Sequence, residues 1–157
     1  MLDAYLYNGL RTPFGRNAGA LATVRPDDML GGVIRAAIDA SSFSESAIDD
    51  VIIGCGNQAG EDSRCVARHA LLRAGLPIET PGTVLQRNCG SGLGAIISAA
   101  HAITCGEGDV LIAGGVESMT RAPFVVGKSE QAFSKQLVSF DSALGARFPN
   151  LKIYMMQ

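Results

Sequence analysis

The sequence has no tryptophan, two histidines and four cysteines in 157 residues. Cys55, Cys65, Cys89 and Cys105 lie 10, 24 and 16 residues apart, so no CxxC pair exists. A zinc centre or dithiol redox motif is thereby disfavoured. Nothing resembles a disulfide framework, which points to a reducing, intracellular setting, the cytoplasm first, with mitochondrion and peroxisome as alternatives. Positive charge is not in surplus: 13 Lys and Arg stand against 15 Asp and Glu, a net charge of −2. A nucleic-acid footprint would need the opposite balance. No apolar run approaches the ~18 residues of a membrane span. Met1-Leu2-Asp3-Ala4-Tyr5 lacks the basic patch and apolar stretch of a secretory leader. What remains is 47% hydrophobic, with a mean hydropathy of +0.21. Such a chain buries a core, and its length suits about one domain.

Glycine is abundant, at 19 residues. The glycines punctuate apolar segments, as they do at strand and helix ends in α/β proteins. Ala4–Arg11 reads as a first strand. Pro26–Ala40 reads as a helix, with Pro26 at an early position and Asp27 and Asp28 on the positive end of its dipole. Its apolar face holds Met29, Leu30, Val33, Ile34, Ala37 and Ile38. Asp50–Gly54 is a run of the buried-strand type. Asp62–Ala74 reads as a second helix, capped by Glu61 and Asp62, with Val66, Ala67, Ala70 and Leu71 inward. Gly75 and Pro77 stop it. Thr83–Gln86 reads as a strand, Gly90–Thr104 as a helix and Val110–Gly114 as a strand. The order βαβαβαβ implies a parallel sheet with helices on its faces. From Ser118 onward the chain is more polar and shows no clean strand.

The informative stretch is Leu85-Gln86-Arg87-Asn88-Cys89-Gly90-Ser91-Gly92-Leu93-Gly94-Ala95. It joins a predicted strand to a predicted helix, where open α/β sheets place ligand sites. The free N–H groups of a helix start favour thiolate over thiol. Gly90 and Gly92 remove bulk beside the sulfur. Cys89 thus reads as a nucleophile that its substrate acylates. On these features alone, a small cysteine buried in a tight turn stands as an equal reading. Gly90-x-Gly92-x-x-Ala95 also fits a dinucleotide fingerprint. That pattern needs an acidic residue near the end of the next strand, whereas Glu107 and Asp109 precede the strand and Glu117 follows it. His101 is twelve residues along the same helix, roughly 18 Å away at ~1.5 Å per residue, beyond reach of the thiol. His69 reads as a helix-flank residue, Cys55, Cys65 and Cys105 as packing, and Met119 as packing or pocket lining.

Three segments resemble the thiolase family, the acetyl-CoA acyltransferases: Arg11-Thr12-Pro13-Phe14-Gly15-Arg16, Asn88-Cys89-Gly90-Ser91-Gly92, and Ala113-Gly114-Gly115-Val116-Glu117-Ser118-Met119-Thr120. Gly56–Asp62 and Arg121–Phe124 fit as well, and the likeness runs from about Ala4 to Asn150. It implies a thiolase-like layered α/β fold, a parallel-dominated mixed sheet with helices on both faces, of which this chain would form only an incomplete first half. The thiolase N-terminal α/β domain is expected over residues 1–120, and the start of an inserted loop region over 121–157. The resemblance implies that Cys89 carries an acyl group between a 3-oxoacyl-CoA and coenzyme A. Acyl-CoA and coenzyme A would be substrates, with no permanent cofactor and no metal, and the complete protein would be a homo-oligomer. It would also require a C-terminal half with a His and a second Cys, so this chain alone is expected to turn over little or nothing. A non-catalytic isoform that associates with full-length subunits and a ketosynthase-type condensing enzyme are the alternatives. Gln86 departs from the Asn frequent three residues before the nucleophile, which is expected to loosen the turn. The end, Leu151–Gln157, also departs from the family pattern. The helix after Cys89 is apolar nearly all round (Leu93, Ala95, Ile96, Ile97, Ala99, Ala100, Ala102, Ile103), so an exposed apolar patch and self-association are expected.

Overall fold

The computed structural model describes residues 3–143 and 149–154. Helix α1 spans Pro26–Asp39, with Pro26 in its first turn and Asp27 and Asp28 beside it. Leu30, Ile34 and Ile38 recur at every fourth position and are buried. They meet α2 (Val66–Arg73), whose Val66, Ala67, Ala70 and Leu71 are fully enclosed. A Cβ on Gly31 would stand 3.0 Å from Arg73 Cγ and 3.1 Å from the Ala70 carbonyl oxygen. The bare glycine therefore sets how closely α1 and α2 approach.

Strand β1 (Asp50–Gly54) pairs in parallel with β2 (Gly82–Leu85) on one side and β3 (Leu111–Gly115) on the other, so the sheet order is β2-β1-β3. Ile52 lies opposite Thr83 and Ala113. The chain leaves β1 for its neighbour β2, then crosses back over β1 to reach β3. Right-handed crossovers in opposite directions put the connecting helices on opposite faces. One is α2; the other is α3 (Ser91–Cys105). The central strand is accordingly apolar without alternation. Val51 and Ile53 pack into the α1 and α2 layer, while Ile52 packs with Ala95 and Ala99 of α3. Helix α3 ends at Gly106 with φ 76°, where the Glu107 N–H donates to the Ala102 carbonyl at 3.0 Å.

Several elements differ from the sequence expectations. Ala4–Arg11 forms no strand, so the described order begins with a helix. Among the described residues β1 is the only neighbour of β3, and no strand offers Ala4–Arg11 a ladder. Tyr5 and Leu6 are left 88% and 85% exposed, and Tyr7 rests edge-on against Phe43 at 5.1 Å. Helix α2 starts at Val66 rather than Asp62. The Asp62 carboxylate accepts from the Gly60 N–H at 3.0 Å instead of capping the helix, and Arg64 takes a φ of 70°. Glu61 likewise turns away, to Arg121 and Arg25. The polar region after Ser118 does contain strands, an antiparallel hairpin of β4 (Phe124–Val126) and β5 (Ser139–Asp141). Of the departing end Leu151–Gln157, Leu151–Tyr154 form a one-turn helix α4, and the last three residues lie outside the described residues. On α3, Ala95 and Ala99 are buried, but Leu93 and Ile97 stay 65% and 44% exposed, giving the expected apolar patch.

Candidate active site

Because the three strands are parallel, Gly54, Leu85 and Gly115 end at one edge of the sheet, and α3 starts there. The turn that carries Cys89 runs from Gln86 to Gly90. The Gly90 N–H donates to the Arg87 carbonyl at 3.0 Å and the Ser91 N–H to the Asn88 carbonyl at 3.1 Å. Asn88 sits at φ 50°, a region that Asn tolerates better than most residues. Buried Ser91 locks the turn from inside: its Oγ donates to the Asn88 carbonyl at 2.6 Å and accepts from the Arg87 N–H at 2.8 Å. Gln86 takes part in this support. Its Oε1 accepts from the Asn88 N–H at 3.1 Å, and its Nε2 donates to the Gly56 carbonyl at 3.0 Å and to Asn88 Oδ1 at 3.3 Å. The longer amide reaches across to the loop after β1.

The turn is seated on glycines. A Cβ on Gly54 would lie 2.2 Å from the Ser91 carbonyl carbon and 2.4 Å from the Gly92 nitrogen. One on Gly115 would lie 3.1 Å from the Gly54 carbonyl oxygen and 3.2 Å from Gly92 Cα. The first turn of α3 therefore rests directly on two strand backbones. Gly90 and Gly92 are different: a Cβ on either would meet its nearest atom at 3.4 Å and 4.0 Å. Among the described residues packing does not demand them, and neither position places a side chain beside Cys89.

Cys89 is exposed and lines a cavity of about 570 Å³ together with Asn57, Asn88, Gly92, Glu117 and Met119. A neighbouring recess of about 420 Å³ lies under Leu10–Asn17 and shares Gly115–Glu117 and Met119 as a common wall. The segment over that recess is tied down by the Ala18 N–H donating to Thr120 Oγ1 at 3.0 Å and by Arg121 Nη1 donating to the Ala22 carbonyl at 3.2 Å. Arg121 also holds Glu61 through Nε to Oε2 at 2.5 Å and Nη2 to Oε1 at 2.6 Å. This pairing keeps the Glu61 carboxyl below its usual range.

Glu117 is the ionisable group on the cavity wall that the motif reading left without a role. Its Oε2 accepts from the Gly56 N–H at 2.7 Å. Burial pushes its pKa up, with the Asp62 charge in the same direction and the Gly56 and Asn57 N–H groups opposing. Cys55, Asp62 and Glu117 bring ligand-type atoms within 4.8 Å of one another. The Cys55 thiol is pushed up to about 12, first by burial and then by the Glu117 and Asp62 charges. At neutral pH it keeps its proton, and both carboxylates are engaged by backbone N–H groups.

The structure separates the four cysteines. Cys55 is buried as expected, and Cys65 is half-buried with Sγ donating to the Gly82 carbonyl at 3.2 Å. Cys105, expected to pack, is exposed at the end of α3. Met119 lines both recesses. His69 and His101 are both exposed, and among the described residues neither lines the cavity of Cys89. Sequence reasoning gave Gly54, Gly115 and Ser91 no role of their own in the site. Ser91 and Gly115 stand inside the segments that carry the resemblance and Gln86 was marked as a departure, whereas Gly54 offered no signal.

The thiolase N-terminal domain model matches residues 5–144. The chain is 54% identical over 151 residues to a 3-oxoadipyl-CoA/3-oxo-5,6-dehydrosuberyl-CoA thiolase of Escherichia coli K12, covering 96% of this chain and 38% of that protein. It is 52% identical over 157 residues to a beta-ketoadipyl-CoA thiolase of Acinetobacter baylyi, covering 99% and 39%. Human mitochondrial 3-ketoacyl-CoA thiolase, solved in complex with CoA, superposes with a TM-score of 0.78 at 35% identity, over 85% of this chain and 34% of that one. The acetyl-CoA acetyltransferase of Bacillus anthracis gives 0.74 at 33% identity, over 82% and 33%. The chain thus spans little more than a third of the length of the relatives it matches. By motif, family match and backbone alike, it belongs to the thiolase family.

Proposed function

We propose that Cys89 is the nucleophile of an acyl-CoA acyltransferase and that this chain supplies the N-terminal part of its active site. The observation that carries the proposal is the position of Cys89: an exposed thiol on the wall of an open cavity, directly before the first turn of α3.

In the degradative direction the thiolate adds to the C3 carbonyl carbon of a 3-oxoacyl-CoA. Collapse of the oxyanion breaks the C2–C3 bond, C2 takes a proton and acetyl-CoA leaves. The shortened acyl group stays on Sγ as a thioester. A coenzyme A thiolate then attacks that thioester and regenerates Cys89. Backbone N–H groups are the natural donors to the oxyanion, the Cys89 N–H first among them. The names of these two bacterial relatives support a 3-oxo chain of the adipyl type as the substrate class. Coenzyme A and its thioesters are then the substrates, and no permanent cofactor is assigned.

Proton transfer needs a base, and neither His69 nor His101 lines the cavity. We therefore propose little or no turnover by the chain alone. Four free cysteines support a reducing, cytoplasmic setting. The family likeness supports homo-oligomeric assembly of the complete protein. A second reading, a non-catalytic chain that associates with full-length subunits, is supported by exposed Leu93 and Ile97 on α3. Co-purification with a full-length thiolase favours it.

Incubation with acetyl-CoA and peptide mass analysis test the main proposal. Acetyl transfer to Cys89 in preference to Cys105, which is also exposed, is the expected result. Equal or absent acylation of both, with a complete thiolase labelled in parallel, refutes it.

A further inference from the structure

Gln86 is exposed at the end of β2, yet its carboxamide makes three hydrogen bonds on two sides. One side is Asn88, through both its N–H and its side-chain oxygen. The other is the Gly56 carbonyl, and the N–H of Gly56 is fixed in turn by Glu117 Oε2. The chain of contacts runs from the wall of the cavity to the residue before Cys89. Ser91 already holds the Asn88 carbonyl and the Arg87 N–H. The Asn88 N–H and side chain are held by Gln86, so the peptide units on both sides of the Asn88 Cα are anchored.

Asn88 has a positive φ of 50°, a region that Asn tolerates better than most residues and leaves for negative φ unless it is held. Release of Asn88 into the negative-φ regions would swing the following peptide and carry Cys89 away from the start of α3. We propose that Gln86 is a positioning residue that clamps Asn88 in its left-handed conformation and thereby fixes the Cys89 sulfur at the helix start. The inference rests on Cys89 being the nucleophile.

The test compares iodoacetamide alkylation rates of Cys89 and Cys105 within the same chain, read by peptide mass. Gln86→Met keeps the volume and removes all three bonds. It slows Cys89 about fivefold, the equivalent of one net hydrogen bond, and leaves Cys105 unchanged. Adding Asn88→Gly then restores most of the rate, because glycine adopts positive φ without a clamp. A residue that merely stiffened the end of β2 would not be rescued by a change at position 88. Gln86→Ala carries the same comparison if the methionine disturbs the circular dichroism spectrum. A wild-type Cys89 no faster than Cys105 overturns the nucleophile reading and this inference with it. A fast wild-type Cys89 left unchanged by Gln86→Met and Gln86→Ala, or slowed without rescue by Asn88→Gly, overturns the clamp alone.

Discussion

Gly54→Ala is the sharpest perturbation of the site. The new methyl would lie 2.2 Å from the Ser91 carbonyl carbon and 2.4 Å from the Gly92 nitrogen and the Ser91 oxygen. These are backbone atoms, so no rotamer change relieves the clash. Restoring a contact of ~3.5 Å moves the first turn of α3 by about 1 Å. Overpacking of this kind costs typically about 1–3 kcal/mol, and the backbone targets place this case at or above the upper end. At about 2–4 °C per kcal/mol for a chain of this size, the melting temperature falls by about 6–12 °C. The same shift moves the helix start relative to Cys89, so the alkylation rate of Cys89 falls while that of Cys105 holds. Gly32→Ala is the control. It is exposed inside α1 with nothing within 4 Å of its added Cβ. It gains about 0.5–1 kcal/mol from helix propensity. Thermal melts by circular dichroism and alkylation kinetics decide the matter. A Gly54→Ala chain with wild-type melting and wild-type Cys89 reactivity refutes the glycine-seat argument.

Three further outcomes follow from the charges and thiols. Glu61 is held below its usual range by Arg121, so the pair stabilises above the unfolded carboxylate pKa of about 4.3 and is lost as pH falls through the lower folded value. Arg121→Met therefore melts below wild type at pH 7, and the two melting curves converge in acid. Glu117 has the opposite sign: its folded pKa is raised, so its contribution is full in acid and lost as pH rises through the folded value. Glu117→Gln keeps an acceptor for the Gly56 N–H, and its melting temperature gains on wild type as pH goes from about 4 to 8. With iodoacetamide at pH 8, Cys89 and Cys105 react first, Cys65 later, and Cys55 only with global unfolding, because burial holds its thiol up to about 12. Early modification of Cys55 would overturn the packing of β1 against α1 and α2.

The central layers were legible because each has a period that matches its burial. Leu30, Ile34 and Ile38 mark the inner stripe of α1, and Val51–Ile53 mark a strand covered on both faces. The edges were not legible, because they depend on neighbours. Ala4–Arg11 has the composition of a strand, but a strand exists only beside another, and none flanks it among the described residues. The hairpin strands are three residues each, too short to show a period. Asp62 looked like a helix cap because nothing in the local sequence reveals that the Gly60 N–H and an Arg64 φ of 70° turn the chain first. The Cys89 motif was readable from its position between strand and helix. The glycine seat was not, since Gly54 and Gly115 meet only through β1 and β3 pairing side by side.

Cys55 and Cys89 show what distinguishes a packing cysteine from a candidate nucleophile on one scaffold. Both follow the carboxyl end of a strand, and both lie near Glu117. Cys55 comes directly after β1, is 1% exposed, and faces two carboxylates that disfavour its ionisation. Cys89 comes four residues after β2, lifted clear of the sheet by a turn with positive φ at Asn88, and stands exposed before α3. The sheet edge alone does not make the thiol available. Gln86 and Ser91 hold the turn from two sides, and Gly54 and Gly115 let it sit low enough for the helix start to reach the cavity. The chemistry of the site therefore depends as much on side chains that are missing as on the sulfur that is present.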